Sequence, residues 1–104
     1  GGCGMRVPVA NGSLTDITFT VQKECTIEEV NQLFYKASIG KYQRIVDYTE
    51  DPIVSADIVG NPASCFFDAQ LTSVLGNMVK IVAWYDNEIG YSNRLADLIQ
   101  RVAP

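Results

Sequence analysis

One stretch constrains the fold more than any other. From Met78 to Tyr85 (MVKIVAWY) every residue but Lys80 is apolar, so alternation with period two is weak. Such a run predicts a strand covered on both faces. It stops abruptly at Asp86-Asn87-Glu88. Beyond the stop, Ile89, Tyr91, Leu95, Leu98, Ile99 and Val102 recur at helical spacing and predict a helix. Three polar side chains therefore meet where a strand ends and a helix begins. That junction offers free backbone N–H groups and a positive helix end. In open α/β sheets, ligands bind outside the carboxyl ends of strands. Taken alone, the triplet reads as helix capping, with Asp or Asn as the N-cap and Glu88 an acid in the first turn.

Composition narrows the function classes. A chain of 104 residues is one domain with a modest core. The net charge is −4, and Lys and Arg do not cluster, which disfavours a nucleic-acid or acidic-membrane partner. No apolar run approaches the length of a membrane span. The three cysteines, Cys3, Cys25 and Cys65, have no metal-like spacing and read as free thiols in a reducing, cytoplasmic compartment. The sequence contains no histidine. Ser-His-Asp and Cys-His constellations are therefore impossible within it, and no catalytic or metal-ligating residue is assigned.

Read in order, Gly1–Gly4 carries no pattern and is taken as a candidate expression scar, with the domain spanning 5–104. Asn11-Gly12 lies between two β-prone runs, Met5–Ala10 and Ser13–Lys23, and predicts a hairpin or a bend in one long strand. In the second run Thr15, Ile17, Phe19 and Val21 share one face, as in a strand covered on one side. Thr26-Ile27-Glu28-Glu29 is a capping box that opens a helix at about Thr26–Ser38, with Gly40 as its stop. Its apolar stripe is Ile27, Val30, Leu33, Phe34 and Ala37. Arg44–Tyr48 and Ser64–Ala69 are short strands, and Gln70–Leu75 is a linker or one short turn. The expected fold is α+β: a mostly antiparallel sheet of about four or five strands with two helices on one face.

Three segments resemble one known family. Trp84-Tyr85-Asp86-Asn87-Glu88, followed by Gly90-Tyr91-Ser92-Asn93-Arg94, looks like the C-terminal signature WYDNEFGYSNR of phosphorylating glyceraldehyde-3-phosphate dehydrogenases, with Ile89 in place of Phe. Arg6-Val7-Pro8 with Ser13 and Asp16 is similar to the family's RVP and S-x-x-D segment. The stretch from Val46 to Ala69 is similar to its G-Y-T-E…V-S-x-D-x…S-x-x-x-F-D-A segment, with Ser55 and Asp57 on the matching positions. The likeness runs from about Met5 to Val102 and implies the last third of the enzyme, the C-terminal part of its catalytic domain.

The resemblance implies two sites. Asn87 matches the Asn that meets the nicotinamide carboxamide of NAD, where an amide can both donate and accept. Arg6 matches a phosphate-binding Arg, whose guanidinium fork suits phosphate geometry. Tyr85 and Tyr91 match aromatics lining the catalytic and nicotinamide pockets; Trp84 and Glu88 read as structural. The family's nucleophilic Cys, its activating His and the Gly-rich dinucleotide-binding domain have no counterpart here. Cys65 follows a serine, but Phe66 and Phe67 follow it, so the nucleophile is not carried onto it. The parent implied is an NAD-dependent dehydrogenase of glyceraldehyde 3-phosphate, or of erythrose 4-phosphate as the alternative. The chain alone is expected to bind no NAD and to turn nothing over. A non-catalytic interaction domain derived from the family is the reading of another class. The expected partners are a second copy, through an apolar sheet face (family members are usually tetramers), and the rest of the parent enzyme.

Overall fold

The computed structural model describes residues 1–103 as an α+β domain. In chain order the elements are β1 (Ser13–Thr20), α1 (Ile27–Ile39), β2 (Val46–Thr49), β3 (Cys65–Asp68), β4 (Ser73–Leu75), β5 (Met78–Tyr85) and α2 (Ile89–Val102). Single turns of 3-10 helix lie at Ser55–Asp57 and Ala69–Leu71. The five strands form one sheet in the order β1-β5-β3-β2, and β4 pairs with β5 on the edge that β3 also uses. All pairs are antiparallel except β2 with β3. No described helix is long and apolar enough to cross a membrane.

The apolar run is the central strand. β5 pairs with β1 along its whole length, from Ser13 opposite Tyr85 to Thr20 opposite Met78. Val79 and Val82 lie on opposite faces of β5 and both are buried, so each face has cover at one point. The sequence places a strand here because the run is apolar on both faces, and the fold uses it as the strand with most neighbours.

α1 forms where the capping box predicts it. The Thr26 hydroxyl accepts from the Glu29 N–H at 3.2 Å, and the Glu29 carboxylate accepts from the Thr26 N–H at 2.9 Å. Two of the helix's orphan donors are thereby satisfied. The helix docks through Val30 and through Phe34, whose ring stacks on Phe67 at 4.0 Å. Asn31 ties the same face to the β3–β4 connection, donating to Ala69 O at 3.1 Å and accepting from the Thr72 hydroxyl at 2.7 Å. Ile27 and Leu33 of the predicted stripe are exposed. Gly40 caps the helix at φ −120°, ψ −119°, neither helical nor extended, and the left-handed residue comes later, at Arg44 with φ 70°.

Five expectations need correction. Met5–Ala10 is not a strand: Pro8 has no N–H to give a ladder, and the segment makes only a local Val9 N–H to Val7 O bond. Asn11-Gly12 is consequently not a hairpin turn. Its side chain bonds away from β1, as described below, and Gly12 takes φ 92°. β1 ends at Thr20 and is exposed along nearly its whole length, so neither face is covered. The strand expected at Arg44–Tyr48 begins at Val46, because residues up to Ile45 are held in turns. Last, the predicted linker contains β4, which forms because β5 extends past β3 and offers it a free edge.

The core is small. Among the described residues the buried hydrophobic side chains are Val30, Ile58, Ala63, Phe67, Ala69, Val79 and Val82. The radius of gyration is 15.0 Å, against roughly 13 Å for a compact chain of this length. Gly90 is the only buried residue of α2, while Leu95, Leu98, Ile99 and Val102 remain exposed. The helix is therefore anchored at its first turn. A Cβ on Gly90 would lie 2.7 Å from Ala63 O and 3.4 Å from Ser64 Cα. Gly90→Ala is expected to push α2 off that segment and cost ~1–3 kcal/mol. Thermal melts against Ser92→Ala, an exposed position in the same turn, would check it; equal melting points would refute it.

Candidate functional site

The strand–helix junction is built around Asp86. Its side chain is only 2% exposed, yet it is ionised and fully satisfied. One carboxylate oxygen accepts from the Glu88 and Ile89 N–H groups at 2.9 and 3.0 Å. The other accepts from the Gly60 N–H at 2.9 Å and the Asn11 amide at 3.2 Å. The Gly60, Ile89 and Glu88 N–H bonds hold its pKa down at about 2, with Asn11 adding to them against the opposing effect of burial. Asp86 thus does the capping work expected of the triplet, although α2 itself begins at Ile89. It also pins the 11–12 and 60–61 loops to the end of β5. Gly12 is required there: a Cβ would meet Ile58 Cδ1 at 3.0 Å and Ser55 O at 3.2 Å.

Asn87 sits on this platform. The Ser13 hydroxyl donates to Asn87 Oδ1 at 2.7 Å. That leaves the Asn87 NH2 group free to donate outward. Tyr85, at the end of β5, is at the border of exposure, and Tyr91, in the first turn of α2, is 68% exposed. One strand end and one helix start therefore carry Tyr85, Asn87 and Tyr91 together. Arg6 lies in the irregular segment upstream, is exposed, and joins no hydrogen bond or ion pair among the described residues.

Trp84 is structural. Its indole N–H donates to the buried Asp68 carboxylate at 3.0 Å, and Asp68 also accepts from the Gln70 N–H. The pair locks β5 to the end of β3. Cys65 has its thiol pKa pushed up by burial and then by the Asp47 carboxylate, the opposite of what a thiolate nucleophile needs. Among the described residues no cluster of three or more His, Cys, Asp or Glu side chains could hold a metal ion.

A cleft of about 630 Å³ opens between the end of α1 and the first turns of α2, with Tyr35, Arg44, Tyr48, Phe66 and Arg94 in its walls. None of Arg6, Tyr85, Asn87 and Tyr91 lines it. The Arg94 guanidinium is already bound to Asp97, to Arg44 O and to the Ser64 hydroxyl, and so braces α2 rather than facing a ligand. Tyr48 gives its hydroxyl to Glu50, and burial together with that carboxylate pushes its pKa up to about 12.

Residues 1–87 match the family model of the glyceraldehyde 3-phosphate dehydrogenase C-terminal domain. The chain belongs to that family. It is 60% identical over 94 residues to glyceraldehyde-3-phosphate dehydrogenase 1 of Streptomyces avermitilis, covering 90% of this chain and 28% of that one. It is 58% identical over 99 residues to the glyceraldehyde-3-phosphate dehydrogenase of Streptomyces coelicolor, with 93% and 30% covered. Against the Mycobacterium avium enzyme of the same name it is 48% identical over 101 residues, with 97% and 30% covered. The chain thus spans under a third of the length of these dehydrogenases. The family match supports the reading of WYDNE and RVP as a signature, and with it the α+β fold expected from that resemblance.

Two parts of this corner escaped the sequence reading. Ser13 was noted only as a motif position, yet it orients Asn87. Asn11 reads from the sequence as part of a local turn and Gly60 carries no site assignment, yet both bind Asp86. The available signal was the coincidence of two polar turn segments with an Asp at a strand end.

Proposed function

We propose that this chain contributes nicotinamide and phosphate contacts to an NAD-dependent glyceraldehyde-3-phosphate dehydrogenase of the cytoplasm, acting in glycolysis. The observation that carries the reading is the fixed Asn87 amide. Ser13 occupies its oxygen, so its NH2 group is free to meet a carbonyl acceptor such as the nicotinamide carboxamide. The donor set of the corner fits that group. NAD, when bound, accepts the hydride of the oxidation. The residues here orient its ring and do not react. Asn87 would donate to the carboxamide with Tyr85 and Tyr91 beside it, and Asp86 holds the turn that carries Asn87. Arg6 neutralises a phosphate, of the substrate or of the inorganic ion, with its guanidinium fork. The residues of this chain include no imidazole, and Cys65 has a thiol held protonated, so nucleophile and base come from elsewhere in the enzyme. By itself the chain is expected to form no NADH from glyceraldehyde 3-phosphate, NAD and phosphate.

The test uses the intact dehydrogenase that carries this domain. Losing a hydrogen bond to a charged group costs about 1.5–3 kcal/mol, or roughly 10–150-fold. Arg6→Ala is expected to raise KM for the phosphorylated aldehyde or for phosphate on that scale, with KM for NAD little changed. Asn87→Ala removes a bond between neutral amides, worth about 0.5–1.5 kcal/mol, and is expected to raise KM for NAD by roughly 2–13-fold with the other two KM values little changed. Steady-state kinetics with each substrate varied would show the split; small and equal effects on all three would sink the assignment.

A further inference from the structure

Asn11-Gly12 is the one Asn-Gly pair among the six asparagines of the sequence. Glycine has no Cβ to shield its backbone nitrogen, so that nitrogen can reach the side-chain carbonyl of the residue before it. The fold brings the two together. The Gly12 N–H donates to Asn11 Oδ1 at 2.7 Å, and that oxygen is one bond from Cγ. The Asn11 NH2 group is occupied elsewhere, donating to the Asp86 carboxylate at 3.2 Å. These two bonds hold the side-chain amide in one orientation, with its carbonyl end at the Gly12 nitrogen. Asn11 and Gly12 are only half-buried, so water reaches them. Other asparagines of the chain are placed differently. Asn87 and Asn93 precede Glu88 and Arg94, whose side chains crowd the nitrogen that would attack, and Asn61 precedes Pro62, which has no N–H.

We propose that Asn11 is a self-modification site: the Gly12 nitrogen attacks its side chain, and the carboxylate left behind unlocks the corner at Asp86. In the first step the Gly12 nitrogen bonds to Asn11 Cγ and gives its proton to water. The Cγ–Nδ2 bond breaks, and that nitrogen takes up a proton and leaves as ammonia. A five-membered imide remains. Water opens it at either carbonyl, giving aspartate or isoaspartate at position 11. One water is consumed and one ammonia released, and nothing is oxidised or reduced. A donor to Asp86 has then become a second carboxylate facing it. Asp86 is buried, so the repulsion is little screened. In isoaspartate the main chain is also one carbon longer, beside a Gly12 where even a Cβ would meet Ser55 O at 3.2 Å. Ser13, which holds Asn87, is the next residue. The inference rests on the Asn-Gly pair and the bonds of Asp86, and needs no assignment of cofactor.

The intact enzyme that carries this domain is the sample. It is aged in warm neutral buffer, folded and, in parallel, unfolded in urea, and then mapped by mass spectrometry. Trypsin puts Asn11 alone in Val7–Lys23, and Asn87 with Asn93 in Ile81–Arg94. In the folded enzyme the first peptide is expected to gain one mass unit, with isoaspartate among the products, while the second keeps its mass. Asn11→Gln, whose amide would have to close a larger ring, is expected to stay unmodified. Asn11→Asp installs one product directly. Its Gly60, Glu88 and Ile89 amides, which donate to Asp86, are expected to lose ~10-fold or more protection from hydrogen exchange, with the α1 amides unchanged. An Asn11 that survives in the folded enzyme through an incubation that converts it in urea overturns the proposal. So does equal conversion of the two peptides, or an Asn11→Asp variant in which those three amides are undisturbed. If Asn11→Asp fails to fold, the same exchange is read on the aged native enzyme.

Discussion

Phe67→Ala is expected to bring the domain close to unfolding. The Phe67 ring is 0% exposed and is stacked by Phe34 at 4.0 Å and by Tyr48 at 5.8 Å. It is the point where α1, β2 and β3 share one contact. Truncating a buried Phe costs ~3–5 kcal/mol through lost burial and the cavity left behind. A domain of this size has only about 5–15 kcal/mol in total, and the few buried side chains here argue for the lower end. At roughly 4–8 °C per kcal/mol the melting point should fall by ~12 °C or more. Phe66→Ala, at the neighbouring, only half-buried position, is the control and should cost less. A Phe67→Ala melting point within about 5 °C of the native chain would show that α1 does not depend on this stack.

The second large effect is expected at Asp86. Each carboxylate oxygen accepts two hydrogen bonds. In Asp86→Asn one of those oxygens becomes an NH2 group that faces two donors, whichever way the amide turns. The corner should loosen, and the 11–12 loop, the 60–61 loop and the start of α2 should lose protection together. The pH dependence has a definite sign. The folded pKa, about 2, lies below the ordinary 3.8. A group depressed in this way contributes its full stability above the unfolded value and loses it as pH falls through the folded one. The native chain should therefore weaken between about pH 4 and pH 2, and the gap to Asp86→Asn should close over that window. Urea melts at pH 5, 3 and 2 would check this; a gap that stays constant would mean that Asp86 is not the group responsible.

The sequence was most legible where the cause is local. The capping box sets the start of α1 through two bonds spanning three residues. The apolar run sets β5, and SCFFDA sets β3, because length and breakers bound both. Legibility failed where partners are remote. Asn11-Gly12 has the form of a hairpin turn, but Asn11 is claimed by Asp86, 75 residues later. Alternation along Ser13–Lys23 predicts one covered face, but alternation cannot say whether anything is there to cover it. β4 exists only because β5 is longer than the contact that β3 makes with it. At the candidate site the WYDNE segment was readable as a family signature and as a cap. The orienting bond from Ser13 was not, because nothing in Asn-Gly-Ser indicates Asn87 across the sheet.

The position of β5 in the chain also governs the order in which the sheet can be made. β1, β3 and β4 all pair with β5, and only β2 and β3 can pair without it. During synthesis Thr20 must wait 58 residues for Met78, and Ser13 must wait 72 for Tyr85. At about 5–20 residues per second that delay is roughly 3–14 s. The capped α1 can form within the interval, since its bonds are local. Among the described strands, Ser13–Thr20 has no partner other than β5, so it leaves the ribosome as a β-prone segment well ahead of the strand it pairs with here, and neighbouring nascent chains on a polysome carry the same segment.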